Sequence, residues 1–190
     1  MQYLTGINAY QDTKPSAITL GKFDGLHRGH ELLISRVEEH QNADDVVGIV
    51  VAFDMSPLWK RLGVQRDMLM TNVEKAKKLE GRVEYFIDCP FDESISSIEA
   101  ETFIEEILVN RFHAKYIVVG SDFHFGHNKR GDYRMLQAFG DKYNYQVEVI
   151  DKICYEGREI SSSYIKEELK KGNQQLANYL LGYQYDKKES

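Results

Sequence analysis

The amino-acid sequence predicts an α/β protein with a Rossmann-like, doubly wound parallel sheet, followed by a small C-terminal hairpin and helices. Short β-branched runs alternate with segments in which apolar residues recur at helical spacing, a pattern typical of βαβ units. Residues 46–53 are almost entirely apolar, as expected for a strand that is buried on both faces of a parallel sheet. After residue 150 the alternation stops, which sets the C-terminal segment apart from the sheet.

Within the sheet region, local signals define each element in turn. The predicted strands are 18–20, 46–53, 83–87, 116–119 and 146–150, and the predicted helices are 31–39, 71–79, 100–110 and 133–143. Thr71 and Glu74 have the spacing of a capping box, and Gly81 can end the helix that they open. Asp132 is the expected N-cap of the last of these helices.

The C-terminal segment is predicted to hold one hairpin and two helices. Residues 153–160 contain Glu156 and Gly157, a pair that suits a tight two-residue turn. A serine run opens a helix that ends at Gly172, and the helix 174–181 ends at Gly182. The polar tail 186–190 is expected to fray.

The composition is that of an ordinary globular protein, with 42% hydrophobic and 28% charged residues. The net charge of −6 argues against a protein that coats nucleic acid, because such proteins are normally basic. The start lacks the pattern of a secretion signal, and the longest apolar run is well below the about 20 residues that span a bilayer. We therefore expect a cytoplasmic protein with no membrane or nucleic-acid partner. Cys89 and Cys154 are expected to be reduced and to fill the core.

The negative charge is concentrated in one stretch. Residues 83–110 hold eight acids and no Lys or Arg, so the remaining 162 residues carry a net charge of +2. The acids are Glu84, Asp88, Asp92, Glu93, Glu99, Glu101, Glu105 and Glu106. This acidic flank reads as a solvated face, and the near-neutral remainder is compatible with a phosphate-rich substrate.

The first motif, residues 21–30, directly follows a predicted strand and opens a helix. Its glycines let the backbone pass close to a ligand, and the helix N-terminus with two histidines at i and i+3 suits a polyphosphate. The loop is neither a G-x-x-x-x-G-K-[ST] nor a G-x-G-x-x-G motif, so hydride transfer is not indicated. A zinc pair formed by His27 and His30, or a plain polar turn, is the alternative interpretation. We expect the protein's own side chains to hold no metal.

Two further segments supply groups that suit a phosphorylated ligand. The second motif, residues 120–132, combines aromatic, basic and glycine residues after a predicted strand. Phe123 and Phe125 have a second interpretation as anchors to the core, which we favour for at least one of them. The third motif, residues 160–166, places hydroxyls at a helix start and Lys166 one turn inside. These residues can form the opposite side of a phosphate site, or simply cap a helix.

Taken together and in this order, the three motifs resemble the bacterial FAD synthetase (FMN adenylyltransferase) module of bifunctional riboflavin kinase/FAD synthetases. Residues 21–30 match its G-x-F-D-G-x-H-x-G-H loop fully. Residues 119–126 resemble its V-G-x-D-F-x-F-G segment, and residues 160–166 resemble its I-S-S-T-x-I-R segment. The resemblance implies a nucleotidyltransferase-type fold with an FMN adenylyltransferase domain over residues 1–185 and no riboflavin kinase domain.

The resemblance also implies a reaction, in which FMN and ATP with Mg²⁺ give FAD and pyrophosphate by in-line attack on the α-phosphorus. The implied catalytic residues are His27, His30, Ser162, Ser163 and Lys166. The implied ATP-binding residues are Gly21, Phe23, Asp24, Gly25, His27, His30 and Gly120. The implied flavin-binding residues are Asp122, Phe123, Asn128, Lys129 and Arg130.

Several positions depart from the family pattern. Lys166 and Tyr164 stand where the family frequently has arginine, which removes planar bidentate phosphate contacts. His124 occupies a usual arginine position, and Met55 and Ser56 interrupt a usual F-[DE]-P-H-P segment. Two alternatives therefore stay open: a nucleotidyltransferase with another phosphate acceptor, and a non-catalytic nucleotide or flavin sensor. The oligomeric state is not predicted.

Overall fold

Residues 1–186 are described by a computed structural model; the expected fraying of the tail lies outside the described residues from 187 onward. In chain order the strands are β1 (Gln2–Thr5), β2 (Ser16–Gly21), β3 (Val47–Asp54), β4 (Tyr85–Pro90), β5 (Ala114–Gly120), β6 (His124–Phe125), β7 (Gly131–Asp132), β8 (Gln146–Ile150), β9 (Cys154–Tyr155) and β10 (Arg158–Glu159). The helices are α1 (Arg28–Ala43), α2 (Ser56–Arg61), α3 (Asn72–Leu79), α4 (Glu93–Ser96), α5 (Ala100–Thr102), α6 (Tyr133–Tyr143), α7 (Ser162–Lys170) and α8 (Gln174–Leu181). Helix α5 continues as a π-helix over Phe103–Val109.

The central sheet has six parallel strands in the order β1-β4-β3-β2-β5-β8. From β2 the chain extends the sheet through β3 in one direction, whereas β5 and β8 extend it in the other. This order creates a topological switch point between β2 and β5, and ligands of such sheets bind there, beyond the carboxyl ends of the strands. The predicted doubly wound sheet is confirmed, and the first two motifs begin at this point.

Side chains alternate between the two faces of the sheet and build two hydrophobic cores. In β2, Ile18 and Leu20 face the core that is covered by the π-helix and α6. Ala17 faces the opposite core, which is covered by α1 and α3. A third cluster joins the β9–β10 hairpin region, α7 and α8, and includes Leu69 from the loop before α3. The C-terminal helices are therefore packed onto the sheet domain beside the first motif.

The local sequence signals predicted several elements to the residue. Helices α6 and α8 and strand β8 have the predicted bounds. The capping box is confirmed, because the Thr71 side chain accepts from the Glu74 N–H and the Glu74 side chain accepts from the Thr71 N–H. Asp132 caps α6 by accepting from the Met135 N–H. Glu156 and Gly157 have φ values of 49° and 79°, which makes the two-residue hairpin turn of the predicted kind.

Other elements differ from prediction for physical reasons. Strand β1 was not predicted, because it is a four-residue edge strand with mostly exposed side chains and has no apolar pattern. Helices α2 and α4 bury no side chain and likewise lack the signal. Strand β4 begins and ends later than predicted, and most of the predicted helix 100–110 is π-helical. Cys89 is buried as expected, but Cys154 is exposed because it lies in the short surface hairpin.

Within residues 1–186, no helix is both long enough and apolar enough to cross a membrane.

Candidate active site

The first motif makes a strained turn between the end of β2 and the start of α1. Three residues of this loop have left-handed backbone: Phe23 with φ 49°, Gly25 with φ 85° and Leu26 with φ 41°. Phe23 and Leu26 pay a steric cost for this conformation, and both side chains are buried and so anchor the turn. A Cβ atom on Gly25 would lie 2.8 Å from Leu69 Cδ1. Position 25 therefore requires glycine, because its backbone is left-handed and because a side chain there would collide with Leu69.

The two histidines of the first motif form a stacked pair at the N-terminus of α1. Their ring centroids are 3.6 Å apart with an interplanar angle of 20°, and Phe23 packs edge-on against His30 at 5.1 Å. His27 is the N-cap residue of α1 and is only 7% exposed. The predicted placement of both rings on one side of the first helical turn is confirmed.

Both imidazoles are held neutral and have unused hydrogen-bonding capacity. Burial lowers the pKa of His27 to about 4, and the nearby Asp24 carboxylate opposes this shift only in part. Burial is the main cause that lowers the pKa of His30 well below its ordinary value, and repulsion from the protonated form of His27 and from the Lys75 ammonium lowers it further. Among the described residues, neither Nδ1 atom has a hydrogen-bond partner although both are buried. Buried polar atoms are normally paired, so this site is prepared for a polar ligand.

Asp24 connects the first motif to the third motif and to the loop before α3. Its Oδ2 accepts from Lys166 Nζ at 2.5 Å, and its Oδ1 accepts from the Leu69 N–H at 2.7 Å. The Asp24 carbonyl accepts from Ser162 Oγ at 2.8 Å. These three bonds join segments that are far apart in sequence. Asp24, Ser162 and Lys166 are thus brought together, as the three-motif interpretation requires.

Two residues that sequence reasoning missed complete this junction. The Tyr183 hydroxyl donates to the Gly25 carbonyl at 2.6 Å, from the segment that follows α8. Lys75, on α3, donates from Nζ to the Lys22 carbonyl at 2.9 Å. Tyr183 lies in a polar segment near the C-terminus, and Lys75 lies on an amphipathic helix. Nothing in the sequence pattern separates either residue from ordinary surface residues. Only the tertiary contacts identify them.

The rim of the site is rich in cations. Partial burial, followed by the charges of Lys129 and Arg66, lowers the pKa of Lys22, although its side chain remains largely in contact with solvent. Lys166 contributes to the same effect. The cluster formed by Lys22, Arg66, Lys129 and Lys166 favours a polyanion.

The second motif is anchored to the core by its aromatic residues. Phe125 is buried against Phe103, with ring centroids 5.4 Å apart, and it stacks with the partly buried Phe123 at 5.7 Å. A Cβ atom on Gly126 would lie 2.7 Å from Ala100, so the loop passes directly over the start of α5. The expected core anchor is confirmed for Phe125. Phe123 keeps one part of its surface available for a ligand.

Most polar residues of the second motif are exposed, and Asp122 and Arg130 already have charged partners. Asp122 follows Gly120 at the end of β5 and pairs with Lys152 at 3.0 Å. Arg130 pairs with Glu99 at 3.0 Å and Glu101 at 3.6 Å, and thus binds the acidic flank. In the third motif Ser161 caps α7, whereas the Ser163 side chain is exposed and makes no hydrogen bond with residues 1–186.

Asn128 and Lys129 both have left-handed backbone, with φ values of 54° and 58°. Backbone strain of this kind is common at ligand sites. Within residues 1–186, no three His, Cys, Asp or Glu side chains are grouped so that they could hold a metal ion.

The fold and the site together define an α/β protein in which a helix N-terminus and two histidines form a site that suits a phosphorylated ligand. The FAD synthetase family model matches residues 9–164, and the chain belongs to that family.

Curated relatives support the same assignment. The bifunctional riboflavin kinase/FMN adenylyltransferase of Haemophilus influenzae is 33% identical over 97% of this chain and 61% of its own length. The corresponding proteins of Buchnera aphidicola (from Schizaphis graminum) and Escherichia coli K12 are 31% and 32% identical over 96% and 88% of this chain. The chain spans only about 54–61% of the length of these relatives.

Solved structures show the same fold. A crystal structure described as a macrolide-efflux protein from Streptococcus pneumoniae has a TM-score of 0.83 and 24% identity, covering 96% of this chain and 62% of the other. A pantoate-beta-alanine ligase from Francisella tularensis has a TM-score of 0.53 and 14% identity, covering 98% of this chain and 80% of the other. At these identities the similarity concerns the fold alone.

Proposed function

We propose that this protein transfers AMP from ATP to FMN, which gives FAD and pyrophosphate. Membership of the FAD synthetase family supports this reaction, and so do the names of the curated relatives. The observation that carries the proposal is the convergence of the first and third motifs on Asp24 beside two neutral histidines whose Nδ1 atoms are buried. We further propose that the protein acts in the cytoplasm on small molecules and not on nucleic acid.

The reaction needs orientation and charge stabilisation more than a nucleophilic side chain. A phosphate oxygen of FMN attacks the α-phosphorus of ATP in line, and the bond from the α-phosphorus to the bridging oxygen breaks as pyrophosphate leaves. His27 and His30 are proposed to donate hydrogen bonds to the phosphate oxygens on which negative charge increases. Neutral imidazoles can do this because each carries one N–H and keeps it at neutral pH.

The third motif is proposed to stabilise the leaving pyrophosphate. Lys166 donates to Asp24, so its charge is partly compensated and its position is defined. A triphosphate carries more negative charge than one carboxylate and can draw the ammonium away from, or share it with, Asp24. Ser162 and Ser163, at the N-terminus of α7, would add hydroxyl and backbone N–H donors to the same phosphates.

Gly21, Phe23, Gly25 and Gly120 are proposed to shape the ATP pocket, since they line the ends of β2 and β5. The flavin is proposed to lie on the second motif, against Phe123 and near Asp122, Asn128, Lys129 and Arg130. Mg²⁺ would enter with ATP, held by phosphate oxygens and water, because this ion usually keeps several waters and takes few protein ligands. No step is assigned to a protein-bound metal.

A panel of donors and acceptors tests the proposal. Purified protein with Mg²⁺ is incubated with ATP or CTP and with FMN, 4′-phosphopantetheine or a sugar-alcohol phosphate, and pyrophosphate release is recorded. We expect release only with ATP and FMN together. Release with another acceptor would identify a different nucleotidyltransferase, and binding of ATP or FMN without any release would identify a non-catalytic sensor.

A further inference from the structure

Lys75 is a buried cation directly beneath the first motif. The residue lies in the first turn of α3 and only 2% of its surface is exposed. Its ammonium group donates to the Lys22 carbonyl at 2.9 Å and to Asn72 Oδ1 at 2.6 Å. Within residues 1–186 no carboxylate lies in ion-pair distance of its Nζ. Asp24, Asp88 and Asp54 act on the ammonium group from farther away, and burial still outweighs them and lowers the pKa of Lys75. Burying a lysine without a carboxylate partner is costly, so a purely structural role would be served better by an uncharged residue.

The acceptor on Lys22 lies where the motif leaves the strand. Lys22 immediately precedes Phe23, the first left-handed residue of the strained turn that leads to His27 and His30. Fixing the Lys22 carbonyl therefore fixes the direction in which the turn begins.

A chain of hydrogen bonds ties this lysine to the far edge of the sheet. Asn72 Nδ2 donates to Asp88 Oδ1 at 2.5 Å, at the end of β4, and the Tyr3 hydroxyl donates to Asp88 Oδ2 at 2.7 Å. The chain thus runs from the edge strand β1 through β4 and α3 to the phosphate loop. This chain of bonds orients the Asn72 side chain, and Asn72 Oδ1 in turn fixes the position of the Lys75 ammonium group.

The Lys75 charge acts on the histidine pair as well. It contributes, after burial and the charge of His27, to the low pKa of His30. An ammonium group close enough to affect this imidazole also adds to the positive potential at the end of α1, where the rim already carries Lys22 and Lys166. Both effects favour a polyphosphate at the same place.

We propose that Lys75 is a positioning residue for the donor nucleotide: it fixes the Lys22 carbonyl and places a positive charge behind the histidines. The inference rests on the proposed function, in which this loop binds the triphosphate of ATP. The phosphates themselves are contacted by the motif, and Lys75 acts through it. One buried charge acting over about 10 Å at an effective dielectric constant of about 20 changes affinity on the order of ten-fold.

The test compares Lys75→Met with Lys77→Met, which removes the same charge from an exposed position on the same helix. Affinities for magnesium ATP and for tripolyphosphate are measured by calorimetry without FMN. We expect Lys75→Met to weaken both by on the order of ten-fold and Lys77→Met to leave both within about two-fold. Equal affinities for the two variants would overturn the inference.

Two further measurements separate positioning from general stability. Thr71→Ala weakens the same helix through its N-cap, and we expect it to lower the melting temperature while leaving the affinity for ATP unchanged. Nuclear magnetic resonance titration of the His30 ring should show a higher pKa in Lys75→Met and no change in Thr71→Ala. If Thr71→Ala loses affinity as Lys75→Met does, Lys75 is merely structural and the inference fails.

If Lys75→Met does not fold, Asn72→Ala provides the test, because it removes one acceptor of the ammonium group and keeps the charge of the lysine. We then expect a smaller loss of ATP affinity, and an unchanged affinity would overturn the inference. Wild-type protein that binds ATP but forms no FAD would refute the proposed function alone. Wild-type protein that binds neither ATP nor tripolyphosphate would refute both.

Discussion

Acidification should destabilise this protein well above the pH at which carboxylates titrate, because the histidine pair is buried in its neutral form. The pKa of His27 is about 4 in the folded protein, against an ordinary value of 6.5. The unfolded chain therefore binds the proton more readily, and lowering the pH favours unfolding. The contribution of His27 to stability is complete above pH 6.5 and is lost progressively as the pH falls towards about 4.

The size of the effect follows from the two pKa values. Between about pH 7.5 and about pH 5.0, His27 alone should lower the free energy of unfolding by about 2 kcal/mol, and His30 should add to the fall. Asp and Glu residues have ordinary pKa values near 4 and contribute little in this window. Urea unfolding followed by circular dichroism at several pH values measures the dependence directly.

The variant His27→Gln isolates the contribution of one ring. Its stability at pH 7.5 can differ from that of the wild type, so only the slopes against pH are compared. We expect the fall between about pH 7.5 and about pH 5.0 to be smaller by about 2 kcal/mol in the variant. A wild-type stability that is flat across this range, or an equal slope in the variant, would show that the pair is not buried as described.

Three substitutions test other parts of the site. His30→Ala should lower the rate of FAD formation by about 10²–10³ without unfolding the protein, because it removes a donor to the transition state; steady-state rates and circular dichroism check this. Lys166→Met should lower kcat by about 10², whereas Lys166→Arg should retain most of the rate, because the departing pyrophosphate needs a cation. Gly25→Ala should cost about 2 kcal/mol or more, since the new Cβ is strained and contacts Leu69; urea unfolding measures it.

Each substitution has a matched control. His40→Ala removes a histidine from the last turn of α1, at the opposite end of the helix from His30, and Lys170→Met removes an exposed cation from the last turn of α7. Gly81→Ala imposes the same left-handed strain, with φ 80°, at a position where no atom lies within 4 Å of the new Cβ. Full turnover in His30→Ala, equal losses in Lys166→Met and Lys170→Met, or equal losses in the two glycine variants would each contradict the corresponding explanation.

The parts of the fold that were predictable from sequence are those set by neighbouring residues. The Thr71–Glu74 capping box and the Asp132 cap involve residues three positions apart, so the printed sequence already contains both partners. Apolar spacing located α6 and α8 for the same reason. Strand β1 was missed because an edge strand with exposed side chains is specified by its pairing with β4, which sequence spacing does not reveal.

The candidate site shows the same division. The residue types and spacing of the first motif predicted a phosphate loop with both histidines on one side of the helix, and the stacked rings have that arrangement. The bond between Asp24 and Lys166 joins residues 142 positions apart and depends on how α7 packs. Lys75 reads in the sequence as one of three surface lysines on α3, and only tertiary packing distinguishes it from Lys77.

The transfer of AMP, labelled on its phosphate, from ATP to FMN tests the central claim most directly. Protein is incubated with FMN, Mg²⁺ and ATP that carries the label on its α-phosphate, and the flavins are separated by chromatography. We predict that the label appears in FAD, with one pyrophosphate released for each FAD formed, and that His30→Ala reduces both equally. Label that remains in ATP or AMP while FMN is unchanged would contradict the proposed function.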